Sequence, residues 1–212
     1  MSYERSVSAD PHELSPETVW EVQMPAIRVG AGAADELGYQ LDQLGLDGDE
    51  RGLIVTDSDL VELGHAGRIA DELAADGFDV DVYDGADREP SIEAGEECIA
   101  FVREEMGADG YDFYLGLGGG SCMDTAKATR AVVANGGEVL DYVAAPTGAG
   151  EALTESGPPL ILLPTTAGTG SEISPVAILS VPEKNIKEGI SSPHVRADAA
   201  VLDPTLTTTL PP

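Results

Sequence analysis

Residues 113–130, FYLGLGGGSCMDTAKATR, decide how this chain is read. An apolar run ends in three consecutive glycines, a serine follows, and then a segment of good helix formers begins. The spacing predicts a buried strand, a tight turn and a helix. Without Cβ atoms, Gly118, Gly119 and Gly120 would let an anion approach backbone N–H groups, and the helix starting near Ser121 aims its positive end at the same place. Ser121 with Asp124 three residues on fits a capping arrangement, and Lys127 falls near Asp124 on the same helix face. An ATP-binding P-loop is excluded, because that motif needs a lysine directly after the last glycine and Lys127 stands well beyond Gly120. The plainer alternative is a strand-to-helix turn with a surface ion pair. Composition favours a phosphate role: Lys127, Lys184 and Lys187 are the lysines of the whole chain.

Outward from this stretch, strands and helices alternate. AIRVG and RGLIVTD read as strands on the N-terminal side, with DVDVYDG after them. Helices are predicted at AADELGYQLDQLG, LVELGHAGRIADELAADG and SIEAGEECIAFVREEMG. LILLP is a further short, wholly apolar strand, and the segment from SEISPVAILSV onward is more strand-like and irregular. Several strands are apolar on both faces, so the fold class is α/β, with a mostly parallel sheet covered by helices on both sides. Residues 1–20 are polar and proline-bearing and read as an N-terminal arm, leaving 21–212 as one α/β domain.

The chain of 212 residues has 11 Lys plus Arg against 39 Asp plus Glu, a formal net charge of −28. The acids are dispersed, so they repel nucleic acid and anionic lipid, and neither is an expected partner. An acidic surface with so few lysines is expected of a halophile's cytoplasmic protein, where salt screens self-repulsion; a low-pI mesophile is the alternative. Cys98 and Cys122 do not make a disulfide framework in a chain this long. No run approaches the roughly 18 apolar residues of a membrane helix, and no secretory leader opens the sequence.

VGAGAADELG invites a dinucleotide fingerprint through Gly30 and Gly32, but Asp35 puts a charge where the third small residue belongs, which favours a structural turn. LILLPTTAGTGSE offers Thr165, Thr166, Thr169 and Ser171 between glycines at a strand's carboxyl end. Such hydroxyls suit ribose and amide groups, or plain turn chemistry.

Together, GLGGGSCMDTAK and PTTAGTGSE resemble the paired signatures of the iron-containing (group III) alcohol dehydrogenase family. The resemblance extends through RVGAGAADELG, LIVTDSDLVELG, YDGADREPS and VLDPTLTTTLPP, and DYVAAPTGAG is similar to the hydroxyacid–oxoacid transhydrogenase branch. It implies a Rossmann-like, dehydroquinate synthase-like N-terminal domain whose C-terminal helical partner domain is missing here. By this resemblance Gly119, Gly120 and Ser121 would hold a pyrophosphate, while Asp124 would fix that loop and approach the cofactor. Thr165 and Thr166 would line the cleft, Lys187 would reach a ribose, and Asp57 would accept from the adenosine ribose hydroxyls. A carboxylate at Asp57 favours NAD over NADP; it can equally cap the next helix.

The resemblance further implies an alcohol or 2-hydroxy acid as substrate and iron or zinc as the metal. The partner expected is a second copy of the chain or the missing half. The family's metal ligands lie beyond the LPP signature. His12, His65 and His194 do not replace them and read as surface residues, so no catalytic or metal-ligating residue is assigned.

Overall fold

The computed structural model describes residues 23–86, 89–181 and 185–208; the predicted arm, His12 and Lys184 lie outside them. The strands are β1 (Ala26–Val29), β2 (Arg51–Val55), β3 (Asp79–Tyr83), β4 (Phe113–Gly118), β5 (Leu160–Pro164), β6 (Val176–Val181), β7 (Ile186–Ser191) and β8 (Ala199–Leu202). All but β6 and β7 form one sheet in the order β1-β8-β5-β4-β2-β3, and every pairing in it is parallel. The irregular C-terminal segment resolves into the antiparallel hairpin β6–β7 followed by the inserted strand β8.

Strand periodicity divides the core into two layers. Phe113, Leu115 and Leu117 of β4 join Ile54, Ile161 and Leu163 on one face, beneath α1 (Leu37–Gln43) and α3 (His65–Ala75). Tyr114 joins Leu53, Val55, Leu160 and Leu162 on the other, beneath α4 (Ile92–Met106) and α5 (Gly120–Asn135). Gly116 permits close approach of α5, since a Cβ there would stand 2.6 Å from Leu162 Cδ2 and 3.2 Å from Met123 Cα. The single helix expected over LVELGHAGRIADELAADG is two, α2 (Ser58–Glu62) and α3, because Gly64 takes a left-handed φ of 82° between them. A short helix α6 (Val139–Tyr142) precedes the loop over 144–150, which holds a cis Ala145–Pro146 bond.

Every residue of α5 from Cys122 to Val133 is buried, including the two cations Lys127 and Arg130. Arg130 staples this helix to the strand entrances beneath it. Its guanidinium donates to the carbonyls of Pro158 (3.2 Å), His194 (2.7 Å) and Arg196 (2.8 Å) and to Asp198 Oδ2 (3.2 Å). The same carboxylate oxygen accepts from Leu160 N at 2.9 Å.

The topology also marks where a ligand would lie. From β2 the chain runs through α3 to β3 on one face, whereas from β4 it runs through α5 to β5 on the other. Neighbouring strands whose connections diverge leave a crevice outside their carboxyl ends. That crevice lies between Asp57 and Gly118–Gly120.

Both cysteines are buried free thiols, and burial pushes the Cys98 thiol up to about 12. Burial and the adjacent Asp57 raise Cys122 as well. Neither is a thiolate at neutral pH. Iodoacetamide is therefore expected to label neither residue over hours in the native protein and both after denaturant unfolding; mass spectrometry reads the count, and rapid native labelling of Cys122 would mean that the crevice opens.

Candidate functional site

The turn from β4 into α5 depends on glycine at one position above all. Gly118 has φ 144°, and a Cβ there would sit 2.5 Å from Cys122 Sγ. The expected cap is not observed: the N-cap of α5 is Gly119, the helix begins at Gly120, and no side chain caps it. Ser121 lies inside the first turn, and Asp124 is turned to other partners. The N-cap position therefore has no side chain of its own, and the positive end of the helix dipole faces the loops ahead of it.

The threonine loop leans on this turn. Thr165 N donates to Gly118 O at 2.9 Å, and a Cβ on Gly120 would lie 3.1 Å from Thr169 Cγ2. Thr165, expected to line the cofactor cleft, is itself buried, and its backbone registers the two loops. Thr166 does line a hollow of about 350 Å³, with Val29, Pro164, Leu202 and Pro204 at the carboxyl ends of β1, β5 and β8.

Lys127 is fully buried, which overturns both the surface ion pair and the phosphate contact expected of it. Its Nζ donates to Asp124 Oδ1 (3.0 Å), Ser171 Oγ (2.8 Å) and Val176 O (2.9 Å), exhausting its three protons. Asp124 Oδ1 also accepts from Ser171 Oγ, and Oδ2 accepts from Ile178 N at 3.2 Å. Burial lowers the lysine's pKa, and the Asp124 charge opposes that shift. One buried cluster thus binds α5 to the threonine loop and to β6.

Above it lies a cleft of about 310 Å³ whose walls include Gly120, Ser121, Asp124, Thr169, Ser171 and Ile178. Lys187 stands at its rim and pairs with Glu89 at 3.2 Å; both side chains are mostly exposed. Of the β6–β7 hairpin the sequence pointed to Lys187 alone; the part played by Val176 and Ile178 of β6 was missed.

Asp57 caps α2, its Oδ1 accepting from Leu60 N at 2.9 Å, while Cys122 Sγ lies 3.5 Å from its Oδ2. The capping alternative is therefore observed. Asp57 also lines a hollow of about 520 Å³ with Asp59, Asp84, Gly85 and Glu89. The acids beyond Asp57 were not identified from sequence, although YDGADREPS carries two of them. The structure thus sets Asp57, Gly120, Ser121, Asp124, Thr166 and Lys187 around hollows strung along one carboxyl edge of the sheet.

The Gly30/Gly32 turn is structural. Gly32 leads into a single 3-10 turn (Ala33–Glu36), Ala34 N is held by Asp203 Oδ2 at 3.1 Å, and Asp35 pairs with Arg68. His65 and His194 are half-buried, and His194 Nδ1 lies 3.0 Å from Ser156 Oγ. Among the described residues no group of three or more His, Cys, Asp or Glu is arranged to hold a metal ion, and no helix is long and apolar enough to cross a membrane.

Comparison with known proteins gives this geometry a family. Residues 25–204 match the family model for iron-containing alcohol dehydrogenases. The chain is 36% identical over 188 residues to long-chain-alcohol dehydrogenase 1 of Geobacillus thermodenitrificans, covering 89% of this chain and 45% of that protein. It is 33% identical over 211 residues to the mitochondrial hydroxyacid-oxoacid transhydrogenase of Bos taurus, covering 99% and 44%. Among solved structures, sulfoacetaldehyde reductase from Bifidobacterium kashiwanohense in complex with NAD+ superposes with a TM-score of 0.79 at 30% identity, over 92% of this chain and 48% of that one. An archaeal halo-thermophilic alcohol dehydrogenase from a Red Sea brine pool gives 0.77 at 26%, over 91% and 48%. The chain spans about half the length of the relatives it matches. Fold, paired loops and matched span agree, and the chain belongs to the iron-containing alcohol dehydrogenase family.

Proposed function

We propose that this chain is the NAD-binding portion of a metal-requiring dehydrogenase that moves hydride between the nicotinamide and an alcohol or 2-hydroxy acid. The observation that carries the reading is the glycine-capped N-terminus of α5, which faces a cleft at the sheet's switch point. The pyrophosphate is placed over Gly119, Gly120 and Ser121, the adenosine ribose toward Asp57, and the nicotinamide toward Thr166. Lys187, solvent-exposed at the rim of the cleft, serves a ribose. Isothermal titration of NAD into the purified chain in molar salt is expected to give one site, displaced by ADP. Absence of any saturable heat would remove this reading.

Transhydrogenation between a hydroxy acid and an oxo acid is the second reading. It is favoured by the match to the bovine transhydrogenase across 99% of this chain. The two readings share the cofactor edge and differ in substrate. The acidic surface suits a cytoplasm at high salt, and the brine-pool relative is in keeping with that assignment.

The family's metal would act as a Lewis acid on the substrate oxygen. The described residues do not supply its ligands. Residues 1–212 alone are accordingly expected to produce no metal-dependent NADH from short alcohols or 2-hydroxy acids with iron or zinc added, as followed by absorbance. Sustained turnover that co-purifies with the chain would place a metal site within it.

Asp57 is assigned the choice between NAD and NADP. Asp57→Asn keeps a capping oxygen for Leu60 N but removes the charge that opposes a 2′-phosphate. The ratio of NADP to NAD affinity is expected to rise about tenfold, equivalent to ~1.4 kcal/mol. An unchanged ratio, measured by titration of both dinucleotides, would leave Asp57 a cap alone.

A further inference from the structure

The cleft proposed above for a pyrophosphate has a carboxylate in its floor. Asp124 is 7% exposed and lines the same cleft as Gly120 and Ser121. Left alone, that charge would repel the dinucleotide phosphates and oppose the helix N-terminus that is meant to attract them. It is not left alone. Lys127 Nζ stands 3.0 Å behind it, with no solvent exposure and with its two remaining donors spent on Ser171 Oγ and Val176 O. A lysine so enclosed has no proton to offer a ligand.

We propose that Lys127 is a positioning residue for the phosphates: a buried counter-charge that renders the Asp124 floor electrically neutral, so that α5 can attract an anion. This rests on the NAD reading. The carboxylate is needed because it accepts at once from Ser171 Oγ, Ile178 N and Lys127, tying the threonine loop and β6 to the first turns of α5. Its charge is the by-product, and Lys127 cancels it from the side the ligand never reaches. The chain's scarcity of lysine sharpens the point, since one of only three, Lys127, is buried whole at this place.

The test uses the full chain in the Lys127→Met and Lys127→Met/Asp124→Asn forms, each shown to be folded by far-ultraviolet circular dichroism. NAD, ADP and adenosine are titrated into each at low and high salt. Lys127→Met strands a negative charge beneath the phosphates, so NAD and ADP should each bind at least tenfold more weakly. Adenosine, which carries no phosphate, should change less than about twofold. The loss should shrink as salt rises. Adding Asp124→Asn should restore NAD and ADP to within about threefold of wild type.

If Lys127→Met does not fold, Asp124→Asn alone serves, because it leaves the cation uncompensated and should bind ADP as tightly as wild type or more so. Equal losses for ADP and adenosine, a failure of the double variant to recover, or weaker ADP binding by Asp124→Asn would each overturn the proposal. Wild type that binds NAD no better than Lys127→Met overturns it while leaving the NAD reading in place. Wild type that binds neither NAD nor ADP overturns both.

Discussion

Replacing Arg130 with methionine should destabilise the fold by about 3 kcal/mol, because three carbonyls lose their donor at once. Methionine fills much of the same volume, so little of this loss comes from a cavity. What is lost is the cation that satisfies three carbonyls, those of Pro158, His194 and Arg196, in places where the strands β5 and β8 enter the sheet. Each acceptor left unpaired costs of order 1 kcal/mol. Asp198 is the least affected partner: its side chain is 42% exposed and it keeps Leu160 N. Lysine should recover only part of the loss, because one ammonium cannot reach acceptors spread across a planar guanidinium. Denaturant unfolding of the two variants and wild type at one salt concentration measures this. A methionine variant within 1 kcal/mol of wild type would mean that the carbonyls find water.

The second large effect concerns Ser121, and here stability and binding should move in opposite directions. An aspartate in the first turn of a helix interacts favourably with the N-terminal dipole, so Ser121→Asp is expected to leave the melting temperature unchanged or raise it slightly. The same carboxylate would stand where the pyrophosphate is placed. Two unit charges about 4 Å apart at an effective dielectric near 20 repel by ~4 kcal/mol, and molar salt reduces this. A loss of about a hundredfold in NAD affinity is expected, against less than about threefold for Ser121→Ala. Calorimetry of both variants, paired with thermal unfolding, separates a folding defect from an electrostatic one. Comparable affinities would remove the phosphate from this helix end.

Much of this was legible in the chain because glycine and apolar periodicity report on backbone requirements directly. DFYLGLG reads as a strand, and Phe113–Gly118 is one, buried on both faces. The turn after it reads as a place where side chains cannot fit, and Gly118 confirms that with its dihedral and its contact to Cys122. What was illegible depends on partners distant in sequence. Lys127 looks like half of a surface pair until Ser171 and Val176, more than forty residues away, arrive on top of it. Thr165 and Thr166 are adjacent and chemically identical, yet strand register turns one inward and leaves the other lining a hollow. The acids Asp84 and Glu89 carry no local signal in so acidic a chain, and only the neighbouring ends of β2 and β3 bring them beside Asp57.

Because α5 is enclosed from Cys122 to Val133, its amide protons should exchange with solvent only when the whole domain opens, among the last in the molecule. On the proposed reading, the turn that meets the phosphates then stands on a helix already ordered before any ligand arrives. Association should accordingly show a single fast phase proportional to ligand concentration, with differences in affinity among related nucleotides residing in their dissociation rates.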